Sequence, residues 1–295
     1  MIRKVKILYK QLRVYQWVKN ILIFLPLLLA HRITETNLIV SVVISFVAFS
    51  CVASAVYILN DFLDLKHDRI HPIKKFRPLA AGLISTNAIV VVFLSLVFIA
   101  TLLCVFFLNT EFALTLVAYS VMSILYAVYV KRLVIADVLL LSGLYVIRLA
   151  AGGAAANVQV STWLLGFSLF LFTSLAFLKR YSELLETIDR DVHVLPGRGY
   201  VSGDSGFIFV AGPALGFISV LVFTFYLNSF EVRALYKHAD VLWLLVPCMI
   251  YWISRLWLLA HRGRVNQDPI LFTFTDGPSY LVGGLAALIV IVASI

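Results

Sequence analysis

Asp61, Asp64 and Asp68 follow one another in the segment Asn60-Asp61-Phe-Leu-Asp64-Leu-Lys-His-Asp68-Arg69. On a continuous helix the three aspartates stand at i, i+3 and i+7 and share one face, with Asn60, Asp64 and Asp68 stacked at i, i+4 and i+8. Aligned carboxylates repel and raise one another's pKa, and desolvation at the edge of an apolar phase adds to the cost. A hard divalent cation relieves that strain. Oxygen-only donors at this spacing suit Mg²⁺, which commonly takes one or two carboxylates and completes its shell with water and substrate phosphates. Asp61, Asp64 and Asp68 are therefore the candidate metal ligands, and Asn60, Asp61 and Asp64 the candidate catalytic group. His67 and His71 fall off the oxygen pattern and read as interfacial polar residues. Downstream, Lys74, Lys75 and Arg77 lie in a segment broken by Pro72, Pro78 and Gly82. Bases beside a metal site can meet phosphate oxygens while the metal takes the others.

The elements that position these residues are set by composition. The 295-residue chain is 62% hydrophobic and 13% charged, against about 45–50% and about 25% in soluble domains. Its mean hydropathy is +1.00. A soluble globule of this size cannot hide so much apolar surface. Disorder, a secreted disulfide scaffold and a soluble enzyme are excluded, and an all-α polytopic membrane protein remains. Cys51, Cys104 and Cys248 lie in apolar stretches and read as small buried hydrophobes.

Runs of about 20 apolar residues predict spans near 38–59, 88–108, 112–130, 133–154, 161–178, 207–228, 240–260 and 278–295. A ninth runs over 14–30 and carries Lys19 and Asn20 inside its first turns. No cleavable leader is read at the N-terminus. With nine spans and the N-terminus in the cytoplasm, 19 of the 24 Lys and Arg fall on the cytoplasmic side and three outside. Eleven of the fifteen acids collect on the same side. The positive-inside rule does not ask for them, so that face reads as the site. The net charge of +9 follows from topology and from affinity for anionic headgroups, with no need of nucleic acid. The chain reads as a single domain over 1–295. Composition leaves the oligomeric state open, a homo-oligomer included, because lipid-facing and subunit-facing surfaces look alike.

The Asn60-Asp61-x-x-Asp64-x-x-x-Asp68 run resembles the first aspartate-rich motif of the UbiA superfamily of intramembrane prenyltransferases. It lies at the end of the second span, and Lys75-x-Arg77-Pro78-Leu-x-Ala-Gly82 is similar to the usual continuation. Nine spans in a UbiA-type helical bundle are also what that resemblance implies. Within the superfamily, Arg13-x-x-Gln16-Trp17-Val18-Lys19-Asn20-x-Leu22-x-Phe24-x-Pro26 looks like the opening of the decaprenyl-phosphate phosphoribosyltransferase branch. So do Phe177-Leu178-Lys179-Arg180-Tyr-x-Glu183-Leu184, Arg198-Gly199-Tyr200 and the stretch from Arg255 through Asp268-Pro269 to Asp276-x-Pro278. Aromatic prenyltransferases usually show a second Asp-x-x-x-Asp motif after span six. Here Asp189 and Asp191 are two apart, and Lys179, Arg180 and Glu183 stand where the branch has a basic motif.

The resemblance implies a Mg²⁺-dependent transfer of 5-phosphoribose from phosphoribosyl diphosphate (PRPP) to a polyprenyl phosphate in a bacterial inner membrane, at a site facing the cytoplasm. The product is a polyprenyl-phosphoryl-5-phosphoribose, for cell-envelope glycan synthesis. Lys19, Asn20, Arg77, Lys131, Arg148, Lys179, Arg180, Glu183 and Tyr200 are the expected phosphate or substrate contacts. For Arg148, late in a span and beside Gly152-Gly153, catalytic and structural roles weigh equally; for Arg255 a structural role is favoured. The alternative chemistry, with the same fold and metal, is alkylation of an aromatic or other small acceptor by a prenyl diphosphate. A transporter would place polar groups on both sides and charge at the midplane, which the distribution here does not.

Overall fold

The computed structural model describes residues 2–70, 74–188, 193–265 and 268–295, with the side chains of 2–4, 67 and 231 left aside. His71, Asp189, Arg190 and Asp191 lie outside the described residues, as does the side chain of His67. Among the described residues, α1 is Ile2–Gln11, α2 Leu25–Leu29, α3 Thr36–Leu63, α4 Leu65–Ile70, α5 Thr86–Phe107, α6 Thr110–Val128 and α7 Ala136–Ala156. These are followed by α8 Thr162–Ile188, α9 Ser205–Leu227, α10 Phe230–Leu235, α11 Leu245–His261, α12 Pro269–Thr273 and α13 Gly277–Ser294. The β feature among them is an isolated bridge between Val194 and Val201. Among the described residues, eight helical segments are long and apolar enough to cross a membrane, or nine if the bent pair Val5–Gln11 and Val14–Leu29 is one span. The protein is an all-α integral membrane protein, as its composition requires.

The ninth segment differs from an ordinary span. Val14–Phe24 is a 3₁₀ helix that runs into α2 and is bent 55° from α1. The bend falls beside Arg13, whose φ of 50° is left-handed. A 3₁₀ rise of ~2 Å over 11 residues and an α rise of ~1.5 Å over five together reach about 30 Å, one hydrocarbon thickness.

The chain forms two compact units, Met1–Val128 with Ile147–Gln159, and Tyr129–Val146 with Val160–Ile295. In the first, α3 is the central element. Half of its apolar window is buried, against 11% for α5, so α5 offers its flanks to lipid. One face of α3 carries Ser50, Ser54, Tyr57 and Asp61, spaced by four, three and four residues. This polar stripe fastens the N-terminal segment. Asn20 donates to Ser50 Oγ at 2.9 Å, Trp17 Nε1 to Ser54 Oγ at 3.0 Å, and Ser54 Oγ to the Leu12 carbonyl at 2.9 Å. On α7, Gly152 lies under Ile23. A Cβ there would collide with the Ile23 carbonyl, so glycine is what lets the 3₁₀ segment approach.

In the second unit, α8, α9 and α11 pack through small residues. Gly212 lies against the Trp257 ring, and Gly216 against Ile253 and Ser174. Ser174 Oγ accepts from Trp257 Nε1 at 3.1 Å and donates to the Gly212 carbonyl at 2.7 Å. Arg255 holds Asp276 with two hydrogen bonds, of 2.6 and 2.9 Å. Asp276 in turn accepts from the Ser279 N–H at 3.0 Å and caps α13. Arg255 is thus engaged with the residue that caps α13.

Candidate active site

The first-unit aspartates sit where α3 gives way to α4. The helix is interrupted at Asp64, yet the Asp64 N–H still reaches the Asn60 carbonyl at 2.9 Å and the Asp68 N–H the Asp64 carbonyl at 2.8 Å. The helical pitch therefore carries through the break. Asp61 and Asp68 are both buried, each 2% exposed; Asn60 and Asp64 are half-buried. Arg77 Nη1 donates to Asp61 Oδ1 at 3.0 Å and to Asp68 Oδ2 at 2.6 Å. Arg13 Nη2 donates to the same Asp61 Oδ1 at 2.6 Å, and Gln11 Nε2 to Asp61 Oδ2 at 3.2 Å. Gln11 is fixed in turn by the Leu79 N–H, 3.2 Å from its Oε1. The Arg13 guanidinium also lies 4.8 Å above the Tyr57 ring.

Two carboxylate oxygens therefore converge on one cationic nitrogen. That geometry suits a Mg²⁺ that takes carboxylates from the protein and the rest of its shell from phosphate and water. A site made of all three aspartates is not formed: among the described residues no three His, Cys, Asp or Glu side chains gather closely enough to hold an ion. In this arrangement Arg13 and Arg77 balance Asp61 and Asp68.

A second buried group in the same unit contains Lys19, Asn20 and Arg148. Arg148 Nε donates to Asn20 Oδ1 at 2.9 Å, and its Nη2 to the Tyr119 hydroxyl at 3.3 Å. Its guanidinium lies 5.3 Å from the Phe49 ring and 4.9 Å from the Tyr119 ring. Arg148 thus orients Asn20, which also holds Ser50.

The second unit brings Arg180 and Tyr200 together on Asp137, which is fully buried, and Glu183 onto Arg180. Arg180 Nε donates to Asp137 Oδ2 at 2.6 Å, and its Nη1 pairs with Glu183. The Tyr200 hydroxyl donates to Asp137 Oδ1 at 2.7 Å and accepts from the Ile135 N–H at 2.8 Å. Burial, together with the neighbouring Asp137 carboxylate, pushes the Tyr200 phenol well above its usual range. Tyr200 is presented by a turn that the left-handed Gly197 closes, with the Leu195 N–H bonded to the Tyr200 carbonyl at 2.9 Å. Arg180 is 0% exposed. Its guanidinium and the Tyr200 hydroxyl are engaged with carboxylates within the unit. Lys179 is half-buried beside a small cavity also lined by Tyr145, Asp268 and Pro269. Lys131 is half-buried, and its carbonyl accepts from Arg198 at 3.4 Å.

Sequence reasoning missed Gln11 as a site residue and left Arg13 and Asp137 outside the candidate set. Ser50, Ser54, Tyr57 and Asp61 at helical spacing in an otherwise apolar run were the available signal for what grips the N-terminal segment.

Residues 21–275 match the model of the UbiA prenyltransferase family. The chain is 34% identical to "Uncharacterized protein y4nM" of Sinorhizobium fredii over 94% of its own length and 54% of the relative's, so it spans about half of that protein. It is 33% identical to "Nodulation protein NoeC" of Azorhizobium caulinodans, covering 93% of this chain and 89% of that one. With the decaprenyl-phosphate phosphoribosyltransferase of Mycobacterium tuberculosis it shares 35% identity over 179 residues, 59% of each protein. The fold is similar to that of a solved UbiA homologue from Archaeoglobus fulgidus bound to GPP and Mg²⁺, with a TM-score of 0.68, 16% identity and 95% of both chains covered.

Proposed function

Because the chain belongs to the UbiA prenyltransferase family, we propose that it works as a phosphoribosyltransferase of that family, moving 5-phosphoribose from PRPP to a polyprenyl phosphate. On this reading it acts as one domain over 1–295, in a bacterial inner membrane, with the N-terminus and the site on the cytoplasmic side. The observation that carries the reading is the basic end of α8. Lys179 and Arg180 stand where, by resemblance, the phosphoribosyltransferase branch has its basic motif, and the nearby Glu183 is engaged by Arg180. Identity to the mycobacterial phosphoribosyltransferase over 59% of the chain gives further support.

The chemistry asks for two anions to be held together. An oxygen of the acceptor phosphate forms a bond to the anomeric carbon, the bond from that carbon to the diphosphate breaks, and diphosphate leaves with the electron pair. The acceptor is already anionic, so no general base is needed; positioning and charge neutralisation carry the rate. Asp61 and Asp68, which already converge on Arg77, would hold Mg²⁺, with Asp64 drawn in as it binds, and the ion would supply charge stabilisation to the leaving diphosphate. Asn60, half-buried beside Asp61, would contact the shell of the bound metal, and Arg77 would meet diphosphate oxygens. In the same unit Lys19 and Asn20, steadied by Arg148, serve phosphate. In the second unit Lys179 and Lys131 contact phosphate, while Arg180, Glu183 and Tyr200 act as positioning residues around Asp137.

The test offers purified protein labelled PRPP with a polyprenyl phosphate and Mg²⁺, and in parallel a labelled prenyl diphosphate with an aromatic acid. Label passing from PRPP into lipid, and lost in Asp64→Asn, is the expected result. Alkylation in the second tube with no transfer in the first would overturn the reading.

A further inference from the structure

Asp61 is surrounded by donors. Its Oδ1 receives Arg13 at 2.6 Å and Arg77 at 3.0 Å, and its Oδ2 receives Gln11 at 3.2 Å. Arg77 also spans to Asp68 at 2.6 Å. Two buried carboxylates and two guanidiniums make a cluster of zero net charge. Three consequences follow from electrostatics. A divalent cation arriving alone must approach an oxygen that already faces two cations, and it leaves two positive charges in excess. A diphosphate arriving alone meets the two carboxylates that the arginines now cover. Arriving together, the cation takes the carboxylates and the anion takes the released arginines, so every charge keeps a partner.

We propose that Arg13, with Arg77, makes metal and diphosphate binding mutually dependent: the arginines close Asp61 to free metal and open it only when diphosphate is there to receive them. This rests on the metal-and-diphosphate reading above and adds to it an order of events and a role for Arg13. The two guanidiniums have room to move. Arg13 and Arg77 side chains are 18% and 25% exposed, while Asp61 is 3% exposed. Arg13 sits on a left-handed backbone turn between two helical segments, and the Tyr57 ring that already lies 4.8 Å from its guanidinium is a favourable face to keep when Asp61 is released. Coupling of this kind is reciprocal: whatever factor diphosphate adds to metal affinity, metal adds to diphosphate affinity.

The experiment uses Mn²⁺ as the probe, measured as the excess held on the protein side of an equilibrium dialysis, with the 295-residue chain in detergent and with or without inorganic pyrophosphate, at matched free Mn²⁺ and Mn²⁺–pyrophosphate on both sides. Wild type is expected to bind Mn²⁺ at least tenfold more tightly with pyrophosphate than without. Arg13→Gln is expected to bind Mn²⁺ alone about tenfold more tightly than wild type, with the pyrophosphate enhancement reduced. Arg13→Lys, which keeps the charge, is expected to retain most of the enhancement, and retention of wild-type helical circular dichroism checks folding of both. Unchanged or weaker binding of Mn²⁺ alone by Arg13→Gln, with wild type still showing a pyrophosphate-enhanced site lost in Asp61→Asn, would overturn the coupling and leave the metal reading standing. No bound Mn²⁺ in wild type under either condition would overturn both.

Discussion

Replacing Asp137 by asparagine removes one charge from a buried knot and changes its volume hardly at all. Two donors converge on this carboxylate, Arg180 Nε at 2.6 Å and the Tyr200 hydroxyl at 2.7 Å. The hydroxyl cannot turn around easily, because it already accepts from the Ile135 N–H. Asparagine offers one acceptor oxygen and one donating amide, so one of the two donors is left facing another donor. An orphaned buried donor costs about 1–3 kcal/mol. Removing one partner of a buried ion pair costs about 3–5 kcal/mol when nothing compensates, and here Glu183 still holds Arg180 and lowers that figure. A loss of about 3 kcal/mol is expected. At roughly 2–4 °C per kcal/mol for a body of this size, that is a Tm lower by about 6–12 °C, read by tryptophan fluorescence of the purified protein in detergent. Glu183→Gln should cost less, since the Glu183 side chain is 18% exposed and Arg180 keeps Asp137. The double substitution Asp137→Leu with Arg180→Met should be milder than Arg180→Met alone, because it removes both charges instead of stranding one. A Tm within 2 °C of wild type for Asp137→Asn, or a double variant worse than the single, would refute the account of this knot as a charge-balanced fastener.

Three further outcomes are expected. Gly152→Ala puts a methyl group against the Ile23 carbonyl; it should cost about 1–3 kcal/mol in overpacking and make the 14–24 segment more susceptible to limited proteolysis. Arg148→Gln loses charge-assisted bonds to Asn20 and Tyr119 and should lower stability by about 2 kcal/mol, with a Tm shift that Asn20→Ala does not add to fully, since the two side chains share one bond. Arg255 and Ser279 hold the Asp276 carboxyl down to about 2, below its ordinary 3.8. A depressed acid contributes stability that is present above its unfolded pKa and is lost as pH falls through the folded one. Wild type should therefore lose Tm relative to Asp276→Asn between about pH 4 and pH 2, with wild type the more stable of the two at neutral pH.

The spans were legible because an apolar run of sufficient length has few other fates. The limits of that rule show at the end of α8. The apolar count stops near residue 178, whereas the helix continues to Ile188. Lys179, Arg180 and Glu183 look like a helix exit to a hydropathy rule, yet Arg180 is buried because Asp137, 43 residues away, neutralises it. Pairings across that distance leave no local trace. The aspartate face was legible from helical spacing, and the pitch survives the break at Asp64. What spacing could not convey is that arginines already occupy the acids. Arg13 reaches Asp61 through a left-handed turn, a backbone state that no residue type there announces, and a 3₁₀ segment replaces the expected α-helical span.

Each unit holds a carboxylate with guanidinium partners at 2.6 Å, and distance alone does not separate a site from a fastener. Accessibility does. Arg180 and Asp137 are both 0% exposed at the side chain, so neither can exchange its partner without taking a bare charge through apolar packing, a cost of several kcal/mol. Arg13 and Arg77 retain 18% and 25% exposure, so their guanidiniums can rehydrate or meet a phosphate as they leave Asp61. Chemistry needs charges that can change hands at modest cost, and architecture needs charges that cannot. On that criterion we assign reactivity to the Asp61–Asp68 cluster and a scaffold role to the Asp137 knot as a proposal, so substitutions in the first should alter ligand affinity more than Tm, and substitutions in the second the reverse.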